Sequence, residues 1–293
     1  MPILLVSRLQ EAEKIKANLA KRQHTLLTGA IGTGKSHLLK HIARDLKKAI
    51  YVERVQPIKS SLLSIAEVLH KEGRLKIEGV VAEYLEWADL KSKVSQLYPA
   101  ELLRSVIEGI EGQGYILILD HLDEITPAMA SAISVLMDKA LVLGAAKALK
   151  DSESLSRVWW SFEKVELESL SKEESLELLW LYADKDRIAD RTMFENKVLN
   201  HSAGNPLAII EMAKKTKDIE FDSPEKIRSL HHDAGLKYFD LTPALLVIGA
   251  IIVTARFVAL GLNDVDTYIL AGSAGAFFII LRYSIYRSSR KTK

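Results

Sequence analysis

The sequence predicts an α/β fold: a parallel sheet with helices on both faces, then a small helical lid and two transmembrane helices. Three observations predict it. Short apolar runs alternate with stretches of helical periodicity. A glycine-rich loop, GAIGTGKS at 29–36, joins the first apolar run to a helical stretch. Two apolar stretches of about 20 residues each lie beyond residue 240, close to the length a helix needs to cross a bilayer.

The elements follow in order. Residues 8–22 have amphipathic helical spacing. HTLLTG, 24–29, is an apolar run stopped by a glycine, which predicts a buried strand. KSHLLKHIARDLKK returns to helical spacing, and AIYVERV predicts a second strand. From Ser60 to about Ile110 the pattern is mostly helical, with breaks near Gly73 and Gly79. YILILD, 115–120, is uninterrupted, as a parallel strand buried on both faces requires. A helix is expected from about Pro127. ALVLGAA, 140–146, reads as a fourth strand from its Val/Leu content and the polar loop after it, and RVWWSFEKVEL leads into a fifth. Strands alternating with helices imply a parallel sheet, so 1–165 form one α/β domain.

Residues 166–217 have helical periodicity and read as the lid, opened by a capping box of Ser171 and Glu174. Residues 218–240 are polar and broken by Pro224, which predicts a linker or a short helix. A hairpin at 241–286 and a basic tail at 287–293 complete the chain.

Composition narrows the chemistry. The 293 residues are 48% hydrophobic, enough for one sizeable core or two modest ones. Zero cysteines exclude disulfides, cysteine metal sites and cysteine nucleophiles. The formal net charge of +2 hides a division: 241–293 hold six Lys/Arg and two acids, leaving 34 bases against 36 acids elsewhere. The larger part is therefore not a basic nucleic-acid binder, and nucleic acid is not an expected partner. The first residues, MPILLVSRLQEAEK, have few apolar side chains and an early Arg8, unlike a secretory signal.

The loop GAIGTGKS matches G-x-x-x-x-G-K-[ST] at each fixed position and lies between a strand and a helix, the context of a P-loop. Gly29, Ala30, Gly32, Thr33 and Gly34 are expected to bring backbone N–H groups to phosphate, continued by His37 in the first helical turn. Lys35 would reach the β- and γ-phosphates, and the Ser36 hydroxyl would hold Mg²⁺. Asp120, closing the third strand, is the expected second Mg²⁺ acid. His121 stands where many such ATPases have the glutamate that polarises water. The next acids, Asp123 and Glu124, are rival bases, or they cap the helix expected near Pro127. An N-K-x-D guanine element is missing, since NKVL at 196–199 lacks the Asp, so ATP is the expected nucleotide.

On these residues the chain resembles the AAA+ and STAND group of P-loop ATPases, and within it origin-recognition and transposon-associated ATPases. LLTGAIGTGKSHLLKHIA looks like their phosphate loop and LILDHLDE like their metal-binding strand. SRVWWSFEKVELESLSKEESLELL looks like the strand-to-lid junction, and HSAGNPLAII like the lid motif. The resemblance covers roughly 5–215 and implies a nucleotide domain followed by a helical lid. It implies that Arg157 reaches the γ-phosphate of a neighbouring subunit, which requires a homo-oligomer. It implies that Pro206 packs on adenine. Leu207 departs from the sensor arginine of many AAA+ members and matches the STAND form. ALVLGAA lacks an obvious polar sensor, although Lys147 follows it.

The two apolar stretches, 241–262 and 267–286, are joined by NDVD and each contains one arginine, Arg256 and Arg282. The tail beyond Leu281 holds five Lys/Arg and no acid. The positive-inside rule then places both ends, and the ATPase, in the cytoplasm, with a lipid bilayer as partner. Arg256 is expected either to snorkel or to face the small residues around Ser273 across the hairpin. Two functions follow: an oligomeric membrane-anchored ATPase that remodels an unknown protein partner, or a nucleotide-dependent switch with the hairpin as anchor or effector. A membrane tether for DNA is a third.

Overall fold

The computed structural model describes residues 8–78, 85–149, 152–232 and 242–290, the last with side chains from 245 to 279. The break expected near Gly79 lies outside them. The chain forms two units, 1–235 and 236–293.

In the first unit five strands, β1 (Thr25–Thr28), β2 (Ala49–Val52), β3 (Ile116–Leu119), β4 (Leu141–Ala146) and β5 (Glu163–Glu166), form one sheet. All pairs are parallel, in the order β2-β3-β4-β1-β5. Successive side chains point to opposite faces. Leu26, Leu117, Leu119 and Val142 therefore enter one apolar layer, and Leu27, Ile118, Leu143 and Val165 the other. The first layer is completed by α3 (Ile58–Lys71), α4 (Trp87–Val94), α5 (Pro99–Ile110), α6 (Pro127–Lys139) and α7 (Glu153–Trp160). The second is completed by α1 (Leu9–Ala20) and α2 (Lys35–Asp45). Each buried Leu or Ile contributes about 1.5–3 kcal/mol, so both faces must be covered for short strands to persist. Order β4-β1-β5 puts β1 between two neighbours, and its C-terminal end opens into the glycine loop.

The helical subdomain comprises α8 (Lys172–Tyr182), α9 (Arg191–Ser202), α10 (Pro206–Asp218) and α11 (Pro224–Ser229). The expected capping box forms: Glu174 N–H donates to Ser171 Oγ at 3.2 Å, and Ser171 N–H to Glu174 Oε2 at 2.8 Å. Phe194 is the centre of its core, with Phe221 at a ring distance of 5.3 Å. Phe221, Ile227 and Leu230 are buried here, so the stretch expected as a linker or short helix contains the short helix α11 and supplies core residues within and on either side of it. Its polar appearance hid three apolar residues: Phe221 bridges to Ile188 before the helix, Ile227 lies within it and Leu230 closes it.

The second unit is a helical hairpin of α12 (Thr242–Gly261) and α13 (Val265–Arg290). Asn263 turns the chain with φ 55°, and Asp264 caps α13 by accepting from Thr267 N–H at 3.1 Å. Gly249 gives room for the Phe278 ring, which stands closer than a side chain there would comfortably allow. Arg256 does not pair with Ser273. Its Nη2 donates to Tyr268 OH at 2.9 Å, and its guanidinium lies 4.8 Å from that ring's centre. The aromatic hydroxyl reaches the cation more readily than the short Ser273, which donates to the carbonyl of Ile269 in its own helix. The expectation of two membrane spans is not supported: among the described residues no helix is long and apolar enough to cross a membrane. Arg256 lies within α12, and Asp266 in the first turn of α13. Apolar side chains nevertheless face outward on both helices, among them Leu246, Ile251, Phe257, Leu270 and Phe277.

Truncating Phe221 tests the extent of the helical subdomain. Phe221→Ala should lower stability by about 3–5 kcal/mol in urea unfolding followed by Trp180 fluorescence. A residue in a free linker would change it by less than about 0.5 kcal/mol.

Candidate functional site

The loop after β1 is shaped by glycines. Gly32 and Gly34 have φ of 82° and 96°, a left-handed region that side chains disfavour. Space is short as well: a Cβ on Gly29 would stand 2.6 Å from the Leu167 carbonyl oxygen, and one on Gly32 would overlap Asn205 Oδ1. Thr33 Oγ1 donates to the Ala30 carbonyl at 2.9 Å and draws the loop tight. Gly34 then starts α2, whose first N–H groups have no partner within the helix. Lys35 arches back, with Nζ donating to the carbonyls of Gly29 and Ala30, both at 2.7 Å. Burial lowers its pKa, opposed by the charges of Asp120 and Asp123. His37 is also lowered, first by burial and then by its basic neighbours His41, Arg44 and Lys40.

Asp120 ends β3 with only 2% of its surface exposed. Its Oδ2 accepts from Tyr51 OH at 3.0 Å and its Oδ1 from His121 N–H at 2.9 Å. His121 has φ 54° and turns the chain into a short 3-10 helix, Leu122–Glu124. Leu122 is seated where Gly144 leaves β4 without a side chain, which fixes the turn. Asp123 Oδ1 accepts from Lys147 N–H at 3.0 Å, tying the turn to the end of β4.

These elements surround a cavity of about 590 Å³. Gly32, Gly34, Lys35, Ser36, His37, Asp120, Asp123 and Pro206 border it. Gly29, Ala30 and Thr33 build the loop behind it. Glu124, one residue past Asp123, does not border it, and neither does Arg157, which is exposed on α7 beside the exposed Trp160. Lys147 does, as do Tyr182 and Ile210 from the helical subdomain. Sequence reasoning missed Tyr51 and Asn205. The Asn-Pro pair at 205–206 is itself a helix-start signal that could have singled out Asn205.

The donor set suits a phosphate ester with a hard cation. Loop N–H groups and the Lys35 ammonium meet anionic oxygen, and the Ser36 hydroxyl and Asp120 carboxylate are the oxygen donors Mg²⁺ prefers. Among the described residues no group of three or more His, Cys, Asp and Glu could hold a metal alone. Such a set fits a cation that completes its shell with phosphate and water.

Tyr51 offers a test. Burial, then the Asp120 charge, raises its phenol pKa well above the ordinary 10.0. The folded state therefore favours the neutral phenol. That stability is fully present below the unfolded pKa and is lost as pH rises above about 10. Tyr51→Phe should cost about 1 kcal/mol at pH 7 and flatten the alkaline limb of a stability–pH curve. An unchanged alkaline limb would show that the phenol does not hold Asp120.

No protein-family model matches the chain, and no curated protein does. Solved structures match. The Walker-type ATPase PABY2304 of Pyrococcus abyssi has a TM-score of 0.52 at 14% identity, over 84% of this chain and 73% of that one. A STAND protein with a tetratricopeptide repeat sensor, PH0952 from Pyrococcus horikoshii, has a TM-score of 0.41 at 17% identity, over 67% of this chain and 28% of that one. A RuvB variant of Thermotoga maritima has 0.43 at 18%, over 83% and 75%. The last two add no weight at those scores. The likeness to the Pyrococcus abyssi protein is one of fold: this chain has the α/β architecture of a Walker-type P-loop ATPase.

Proposed function

We propose that the chain is an ATP-binding switch with slow, Mg²⁺-dependent hydrolysis, read out by the helical subdomain as a lid. The observation that carries this reading is one cavity bordered by the glycine loop, Lys35, Ser36, Asp120 and the lid's Pro206. Loop N–H groups bind the phosphates, and Lys35 exchanges the carbonyls of Gly29 and Ala30 for phosphate oxygen. Ser36 and Asp120 would hold Mg²⁺, which would supply charge neutralisation at the transferred phosphoryl group. Pro206, at the start of α10 and bordering the cavity, offers an apolar wall to adenine.

Asp123 is the better base of the two rivals, because it borders the cavity and Glu124 does not. One of its carboxylate oxygens is already engaged by Lys147 N–H, which leaves the other to meet water and favours slow turnover. His121 next to Asp120 and Leu207 in the lid support a switch over a motor. Arg157 serves a second copy of the chain, so hydrolysis depends on homo-oligomer formation.

The hairpin belongs to the same proposal. Its outward Leu246, Ile251, Phe257 and Phe277 leave large apolar side chains exposed on both helices, and a lipid bilayer is the proposed partner. The basic residues after α13's apolar part favour a cytoplasmic ATPase. Nucleic acid is not proposed, given the acidic balance of the larger part.

Calorimetric titration of the full chain with ATP and Mg²⁺ should give saturable binding that Lys35→Ala abolishes; a wild-type chain that binds no ATP sinks the reading. Asp123→Asn should slow turnover by at least about 100-fold, with Glu124→Gln close to wild type. The reverse order would make Glu124 the base. Arg157→Ala should remove the rise of specific activity with protein concentration while leaving ATP affinity unchanged. In flotation with phosphatidylcholine vesicles the full chain should rise with lipid; recovery in the dense fraction without detergent would overturn the bilayer assignment.

A further inference from the structure

The lid grips the phosphate loop by its carbonyls, and we propose that Asn205 is a positioning residue that sets the loop's N–H groups for phosphate. The inference rests on the nucleotide reading above. Asn205 Nδ2 donates to the Ile31 carbonyl at 2.7 Å. The next lid amide but one, Leu207 N–H, donates to the Gly32 carbonyl at 3.2 Å. In a trans peptide the C=O and the following N–H point in opposite directions. Holding the Ile31 carbonyl from the lid turns the Gly32 N–H to the opposite side of the loop. Holding the Gly32 carbonyl does the same for Thr33 N–H. Two consecutive N–H groups are thereby oriented before any anion arrives, and preorganised donors bind more tightly than ones that must reorient.

The same side chain also starts the lid helix. Asn205 Oδ1 accepts from Leu207 N–H at 3.1 Å and Ala208 N–H at 3.4 Å, so one amide caps α10 and holds the loop. Gly32 is the counterpart: a side chain there would occupy the space of Asn205. Loop shape and lid position are consequently one variable. A phosphate that seats on the loop strengthens the lid contact, and a lid that lifts away releases the two peptide planes.

Asn205→Ser separates the two roles. Serine keeps an oxygen acceptor for the helix cap but is too short to reach the Ile31 carbonyl. In the full chain we expect an unchanged thermal midpoint, ATP affinity weaker by about 3- to 10-fold, and faster amide exchange over 29–36 without nucleotide. Asn205→Ala loses both roles and should also lower the thermal midpoint. If Asn205→Ser keeps wild-type affinity and exchange while Lys35→Ala abolishes binding, the positioning role is overturned and the nucleotide reading stands. If the wild type binds no ATP, the nucleotide reading falls, and exchange over 29–36 decides the grip: faster in Asn205→Ser supports it, unchanged overturns it.

Discussion

Asp120 has almost no surface in contact with solvent, so protein groups must do what water would otherwise do for its charge. The phenol of Tyr51 and the amide of His121 meet its two oxygens, and the Lys35 ammonium, at the same cavity, interacts with its charge. The amide contact is made to the residue directly following, which takes the left-handed backbone at His121. From there the short turn drops Leu122 against Gly144 and brings Asp123 to Lys147. The position of Asp123 at the cavity thus descends from the burial of its neighbour. A larger residue at 144 or a missing phenol at 51 acts on the site through the same chain of contacts.

The loop is the other half of the arrangement and answers to a different constraint. Its glycines are there because neighbours pass too close for side chains: the Leu167 carbonyl behind Gly29, and the side chains of Asn205 and Leu207 beside Gly32. One neighbour belongs to the segment leaving the sheet and the other to the helical subdomain. The loop is therefore clamped between the two parts of the first unit, and movement of one against the other is felt there first.

Much of this was legible in the sequence. YILILD and HTLLTG became β3 and β1 because unbroken apolar runs are what a strand covered on both faces demands. The capping box at Ser171 formed as spaced, because that signal is local. The loop and Asp120 came together because strand and loop chemistry both pointed there. What was not legible depends on distant partners. Nothing near Tyr51 announces that its hydroxyl meets an acid on the next strand. Asp123 and Glu124 look equivalent until a turn of fixed sense sends one to the cavity. Phe221, Ile227 and Leu230 are scattered through a polar stretch, and only the helical core shows why they are apolar. Of the two expectations for Arg256, the contact with Tyr268 is not the one counted outward from the turn, because such pairing ignores which side chains are long enough to meet.

The strand order has a consequence for the order in which the chain can fold. β1 precedes the phosphate loop in the sequence, yet both its sheet neighbours, β4 and β5, come far later. His24, at its foot, receives the amide of Val142 from 118 residues away. A nascent chain that has emerged only as far as α6 therefore holds β1 with no strand on either side. The most recognisable motif of the sequence is thus among the last to gain its shape, because ring closures of this length must precede it.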